Sequence, residues 1–185
     1  MDTLRRCELI KSLDNATVEK LLPVFVPLEK DSGTEIFSEG DEGDGLYVLD
    51  CGLVRATKKM PRGHNMIVAL FHGGDVFGEM ALITKSKRSA ACVMEEAGKI
   101  WHLPGEAFLE LKESEPRVHT ALVRAIGSLV SNRLKSMTAE MSTLLRELSY
   151  TKKDMEDLRE QVVLSKCGFM GFLGSLVGGR GKARD

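Results

Sequence analysis

The sequence predicts an α+β chain: an eight-stranded β jelly-roll barrel with short N-terminal helices, followed by a long C-terminal helix that forms a coiled coil. Three observations lead there. Between Val24 and Leu103, short apolar or alternating runs are separated by clusters of Gly, Asp, Pro and Asn at a spacing near ten residues, the pattern of a roll or small barrel. From Pro116 onward there is no further proline, and after Gly127 no glycine until Gly168. Along that stretch apolar residues recur in alternating steps of four and three, which is the seam of a coiled coil.

Residues 2–22 read as helical, with Leu4, Leu9, Ile10, Leu13, Val18, Leu21 and Leu22 at mixed three- and four-residue spacings. Asn15 or Thr17 is placed to cap a second short helix, which Pro23 ends. The strand-like runs follow: "VFVPL", "TEIFSEG", "GLYVLDCGLVRAT", "NMIVALF", "SAACVMEE" and "KIWHL". Turn chemistry marks the breaks at 39–45 ("EGDEGDG"), 50–52 ("DCG"), 60–65 ("MPRGHN") and 72–75 ("HGGD").

Pro116 suits a first helical position, and the helix it opens is expected to run for about fifty residues, roughly 75 Å. Leu122, Ile126 and Leu129 are expected to pack on the barrel's own domain. Beyond them the seam runs Val130, Leu134, Met137, Met141, Leu144, Leu148, Thr151, Met155, Leu158 and Val162. With Leu134 at position a, Glu147 and Asp154 fall at g, while Lys152 and Arg159 fall at e. Those pairings are attractive in a parallel homodimer. The last residues, "KCGFMGFLGSLVGGRGKARD", keep Phe169, Phe172, Leu173 and Leu176 on one face despite their glycines, with Arg180, Lys182 and Arg184 after them. Such a tail is expected to dock on a partner protein or a membrane surface. The organisation expected is therefore 1–115, barrel with N-terminal helices; 116–165, dimerisation helix; 166–185, Gly-rich amphipathic tail.

Composition excludes several classes. A formal net charge of −1 gives no global attraction to nucleic acid or anionic membrane. One Trp and two Tyr make no stacking platform for single strands. The four cysteines (Cys7, Cys51, Cys92, Cys167) are too far apart in sequence for a metal knuckle or redox pair, so no metal is expected and the thiols read as reduced, in a cytoplasmic protein. The N-terminus lacks an apolar signal region, and no run of apolar residues is long enough to span a bilayer. No nucleophile–base constellation stands out, so no enzyme is expected.

The chemistry concentrates in "FGEMALITKSKRSAA", residues 77–91. Gly78 permits close backbone approach, and N–H groups near Glu79, Met80 and Ala81 can converge on an anion if the chain turns helically there. Nine residues after Glu79, Arg88 supplies a planar, permanently charged fork suited to phosphate oxygens. Ser89 adds a hydroxyl, and Ala90 keeps the wall low. Glu79 would repel a phosphate, so its natural partner is a neutral donor such as a sugar hydroxyl. The implied ligand carries one phosphate, a nearby hydroxyl and an apolar part.

At Phe77-Gly78-Glu79-Met80-Ala81-Leu82 and Arg88-Ser89-Ala90 the sequence resembles the phosphate-binding cassette of the cyclic nucleotide-binding domain family. That domain occurs in the bacterial catabolite activator protein and in protein kinase A regulatory subunits. The likeness extends upstream through "IFSEGDEGDGLYVLDCGLVRA" and covers about residues 15–135. It implies that Glu79 accepts the ribose 2′-hydroxyl and that Arg88 pairs with the cyclic phosphate. Backbone groups of Gly78 and Ala81 and the Ser89 hydroxyl would complete the shell; Met80, Ala90 and Val68 are counted with the ligand too. Aligning on "NRLKSMT" puts Met137 and Thr138 where the long helix of dimeric bacterial members meets the base, in place of the family's polar pair. The ligand expected is cAMP, with cGMP open. No other cofactor is expected, and no DNA contact, because no helix-turn-helix fits after Val162. Two functions remain. One is a dimeric sensor that signals through the long helix. The other is a coiled-coil scaffold whose tail, similar in "FLGSLVGGR" to the short peptides that load encapsulin shells, docks on a shell or membrane.

Overall fold

The computed structural model describes residues 2–61 and 63–178, with side chains described as far as residue 159, Asp2 and Leu158 apart. Three short helices come first: α1 (Asp2–Arg6), α2 (Glu8–Lys11) and α3 (Asn15–Leu21). The residue that caps α3 is Asp14, not Asn15 or Thr17. Its carboxylate accepts from the Thr17 backbone N–H at 2.9 Å and from the Thr17 hydroxyl at 2.8 Å, which satisfies an otherwise orphaned donor of the first turn. A short 3-10 turn at Leu22–Val24 contains Pro23 and ends the helical segment.

Six strands follow among the described residues, where eight were expected: β1 (Val26–Lys30), β2 (Glu35–Phe37), β3 (Gly45–Lys59), β4 (Asn65–Phe71), β5 (Val76–Phe77) and β6 (Ala91–Pro104). All the pairings are antiparallel, in the order β1-β6-β3-β4, with β2 on β6 and β5 on β3. The count is lower because "DCG" at 50–52 and "EAGK" at 96–99 do not turn the chain. They are matching irregularities in two long strands, where the β3–β6 register shifts between Leu49, Cys51, Leu53 and Val54. A Cβ on Gly52 would lie 3.1 Å from the Gly98 Cα, so the two backbones touch at the kink and leave no room for a side chain.

β3 shows why its first residues are nearly all apolar. Leu46 and Val48 face a cluster built with α1–α3, Trp101, Leu103 and the helices that follow the sheet. Tyr47 and Leu49 face the other way, into a second cluster with Val54, Phe77, Cys92, Met94 and Ile100. Successive strand residues point to opposite faces, and here both faces are buried. Cys7 and Cys92 are buried thiols; burial pushes both up, Cys92 to about 12, so they stay protonated.

α4 (Glu79–Thr84) interrupts the strands, and α5 (Gly105–Ser114) and α6 (Pro116–Gly178) close the chain. The first compact unit runs Met1–Asn132 and takes in the start of α6, where Val118, Leu122, Ala125, Ile126 and Leu129 are buried at three- and four-residue intervals. The second unit, Arg133–Asp185, is helical through Gly178, so that α6 as a whole has 63 residues, longer than the helix of about fifty expected. Its seam residues Leu134, Met137, Met141, Leu144, Leu148 and Met155 are exposed in the single chain. The side chains of Phe169, Phe172, Leu173 and Leu176, and all of Arg180, Lys182 and Arg184, lie outside the described residues. Among the described residues no helix is long and apolar enough to cross a membrane.

Candidate functional site

The site grows from a strand end. β5 delivers Val76 and Phe77 into the sheet, buried, and Gly78 then turns the chain with φ at 76°, a left-handed conformation that a side chain would strain. Space matters as much as angle: a Cβ at Gly78 would lie 2.5 Å from Nη1 of Arg88. α4 starts at once, with Glu79 and Ala81 buried and Met80 exposed. Lys85 ends it, again left-handed. The exposed residues 85–87 then bring the chain back to Arg88.

Arg88 is only 3% exposed. Its guanidinium lies over the Phe37 ring, 4.1 Å from the centroid, and Nη1 donates to the Gly78 carbonyl at 2.8 Å. Nη2 donates to the Gly45 carbonyl at 2.9 Å and to the Asp44 carboxylate. Nε is buried with no hydrogen-bond partner, a donor whose desolvation costs about 1–3 kcal/mol unless an acceptor meets it. The backbone around Arg88 is held by the same neighbourhood. Its N–H donates to the Asp41 carbonyl at 2.8 Å, and its carbonyl accepts from Gly40 at 2.9 Å.

Of the residues singled out from sequence, Gly78, Glu79, Ala81 and Arg88 are thus brought together, with Ser89 exposed and Ala90 half-buried next in the chain. Val68 is an exposed residue of β4. Met137 and Thr138 lie in the second unit, Met137 exposed and the Thr138 hydroxyl donating to the Leu134 carbonyl at 2.8 Å. A cavity of about 600 Å³ lies between the 42–44 turn, α4 and the start of α5, lined by Ala81, Leu82, Phe108 and Leu109 among others. It includes neither Arg88 nor Glu79, though Asp44 and Ala81 line it. The buried charge marks the chemistry better than the size of that cavity does.

Sequence reasoning missed the surroundings of Arg88: Phe37, Asp44, Gly45 and Tyr47 about the guanidinium, and His102 against Asp44 and Tyr47. "EGDEGDG" read as a turn and as part of the upstream likeness, with no side chain of it given a role. Its acid content was the available signal, because a buried arginine needs a carboxylate. Asp44 holds the group together. Its second oxygen accepts from the Tyr47 hydroxyl at 2.8 Å and lies 3.9 Å from His102 Nε2, and the His102 ring stacks on Tyr47 at 4.5 Å.

These contacts set a pH response. Burial pushes the Asp44 carboxyl up, but donation from Tyr47 and from the Arg88 guanidinium outweighs it and holds the group below the usual carboxylate range. Burial pushes His102 below its ordinary value, against the pull of the Asp44 carboxylate. A depressed carboxyl contributes stability above its unfolded pKa and loses it as pH falls through the folded one. A depressed histidine favours the unfolded state, which takes up the proton first. Both signs agree: stability is expected to fall in two stages on acidification, below about pH 6.5 from His102 and below about pH 4 from Asp44. Melting temperatures of wild type, His102→Gln and Asp44→Asn across this range check it, each variant flattening its own stage.

The fold and site define a β-roll domain that presents a buried arginine beside a short helix. Residues 28–115 match the family model of the cyclic nucleotide-binding domain, and the chain carries a domain of that family. It is 32% identical over 112 residues to the cyclic AMP receptor protein of Thermus thermophilus, covering 60% of this chain and 50% of that protein. The N-terminal domain of a transcriptional regulator from Streptomyces coelicolor superposes with TM-score 0.63 at 28% identity, covering 74% of this chain and 95% of that one. The regulatory domain of Toxoplasma gondii PKA, solved with cAMP, gives 0.55 at 28% identity, covering 59% and 41%. The chain spans half the length of the Thermus receptor and 24% of that of mycobacterial NTE family proteins it also matches. Among the described residues no DNA-binding domain is evident.

Proposed function

We propose that this chain is a non-enzymatic sensor that binds a cyclic nucleotide, cAMP in the first instance, between Gly78 and Ala90, and reports its presence through α6. The observation that carries this is the buried Nε of Arg88, an unmatched donor on a fixed cation beside the first turn of α4. A cyclic phosphate supplies the missing acceptor. Gly78 and Ala81 line it with backbone, and Ser89, exposed at the edge, adds its hydroxyl. Glu79 accepts the ribose 2′-hydroxyl from its place at the start of α4. The relatives named for cAMP favour that nucleotide over cGMP, with Met137 and Thr138 assigned to the base.

The signalling element is α6, paired with a second copy. Its seam from Leu134 to Met155 is exposed in the single chain, which supports a coiled-coil homodimer in which the g and e charges alternate in sign. Ligand would act by contacting two positions of this helix unequally.

Isothermal titration of the full chain with cAMP and with cGMP tests the reading. Heat is expected with cAMP, and Glu79→Gln is expected to weaken binding about 10- to 100-fold, the worth of a hydrogen bond to a charged group. Heat with neither nucleotide would sink the proposal.

A further inference from the structure

Strands β3 and β4 form a hairpin whose far end is unlike the rest of the surface. Residues 51–74 contain no Asp or Glu, in a chain with 27 acids, yet they hold Arg55, Lys58, Lys59 and Arg62. Arg55 is paired with Glu95 at 2.7 Å, whereas neither Lys58 nor Lys59 makes an ion pair among the described residues. Glu39 reaches only the backbone N–H of Lys59. Beside these charges the hairpin exposes large apolar side chains: Met60 40%, Met66 47%, Ile67 55% and Leu70 48%. Met66 and Ile67 are successive strand residues and point to opposite faces. Both are exposed, so this end of the hairpin is apolar on both sides and basic along its partner strand.

We propose that the tip of this hairpin docks on an anionic lipid surface. The charge is the first argument. A local cluster of basic residues that outnumbers its neighbouring acids, here Glu39 and Glu95, is attracted to negative headgroups even when the whole molecule is near neutral, and each basic residue close to the surface contributes about a factor of five. Two-sided apolarity is the second. The headgroup–acyl boundary takes up exposed apolar side chains that stand beside basic ones. The backbone fits as well. The Met60 N–H donates to the His64 carbonyl at 2.8 Å, and the Gly63 N–H donates to the Met60 carbonyl at 3.1 Å, which satisfies much of the turn internally. The outer edge of β4, last in the strand order, has no neighbouring strand among the described residues. Unpaired edge groups do not enter hydrocarbon, so the hairpin stays at headgroup depth, and only exposed apolar side chains turned towards the bilayer reach the acyl boundary. Lys58, Lys59, Met66 and Ile67 are not among the residues assigned to the nucleotide, and vesicle binding is tested without it.

Sedimentation of the full chain with phosphatidylcholine vesicles, with and without phosphatidylserine, tests this. Binding is expected with the anionic vesicles only, weakening as salt rises. The double variant Lys58→Glu/Lys59→Glu is expected to lower partitioning roughly 30-fold, and Met66→Ser/Ile67→Ser roughly 10-fold. Both keep the wild-type melting temperature, because all four side chains are exposed. Equal sedimentation with neutral vesicles would overturn the proposal, as would wild-type binding in both variants. So would loss of molar mass by light scattering in Met66→Ser/Ile67→Ser without vesicle binding by the wild type, which would assign the strip to a second copy of the chain.

Discussion

Replacing Arg88 by Ala is expected to remove measurable cyclic nucleotide binding and to lower stability by about 2–3 kcal/mol. The two effects have one source. Arg88 serves three protein acceptors, the carbonyls of Gly78 and Gly45 and the carboxylate of Asp44, and it packs on Phe37. Breaking a fully buried pair costs about 3–5 kcal/mol; here the figure is lower, because the Asp44 side chain is 59% exposed and water can replace its partner. Arg88→Lys separates charge from geometry. An ammonium keeps the positive charge but cannot span three acceptors and a phosphate at once, so binding is expected to stay more than about 10-fold weaker while part of the stability returns. Urea denaturation and titration on the same preparations read both quantities. Unchanged nucleotide affinity in Arg88→Ala would remove this residue from the ligand site.

Gly45→Ala is expected to be more damaging to the fold, by about 3–5 kcal/mol, combining backbone strain with overpacking. Gly45 has φ at 155°, and a Cβ there would overlap the Leu103 carbonyl oxygen and lie 2.5 Å from His102 Nε2. The imidazole can rotate away, but the carbonyl belongs to β6 where Leu103 pairs with Leu46. The strands must therefore part or the 43–45 turn must move. Either change also displaces the Gly45 carbonyl from Arg88, so affinity falls with stability. A wild-type urea midpoint would show that the turn accommodates a methyl group and that this contact is not tight.

The class of the fold was legible in the sequence because turn residues and hydrophobic period are local signals. Leu122, Ile126 and Leu129 could be assigned to the domain's own core on spacing alone, and they are buried. The strand count could not. Gly52 reads as a turn until its backbone is seen against Gly98 across β3 and β6, a fact held by two distant segments together. The site divides in the same way. Gly78, Glu79 and Arg88 lie within eleven positions of each other, residues 78–88, and their chemistry shows in a single window. Asp44 reaches the guanidinium, and His102 reaches Asp44, only through the fold, so no window contains the carboxylate that Arg88 needs.

The Arg88–Asp44 hydrogen bond joins residues 44 positions apart, and that separation has a kinetic consequence. Closing so long a loop is slow compared with forming any local hairpin or helix. A chain emerging from denaturant can build α5, the start of α6 and the β3–β4 hairpin before residues 38–45 meet residues 85–90. Nucleotide affinity should therefore be among the last properties to return on refolding, after helical and strand signals have recovered. A fluorescent cyclic nucleotide added during refolding would time the closing of that loop.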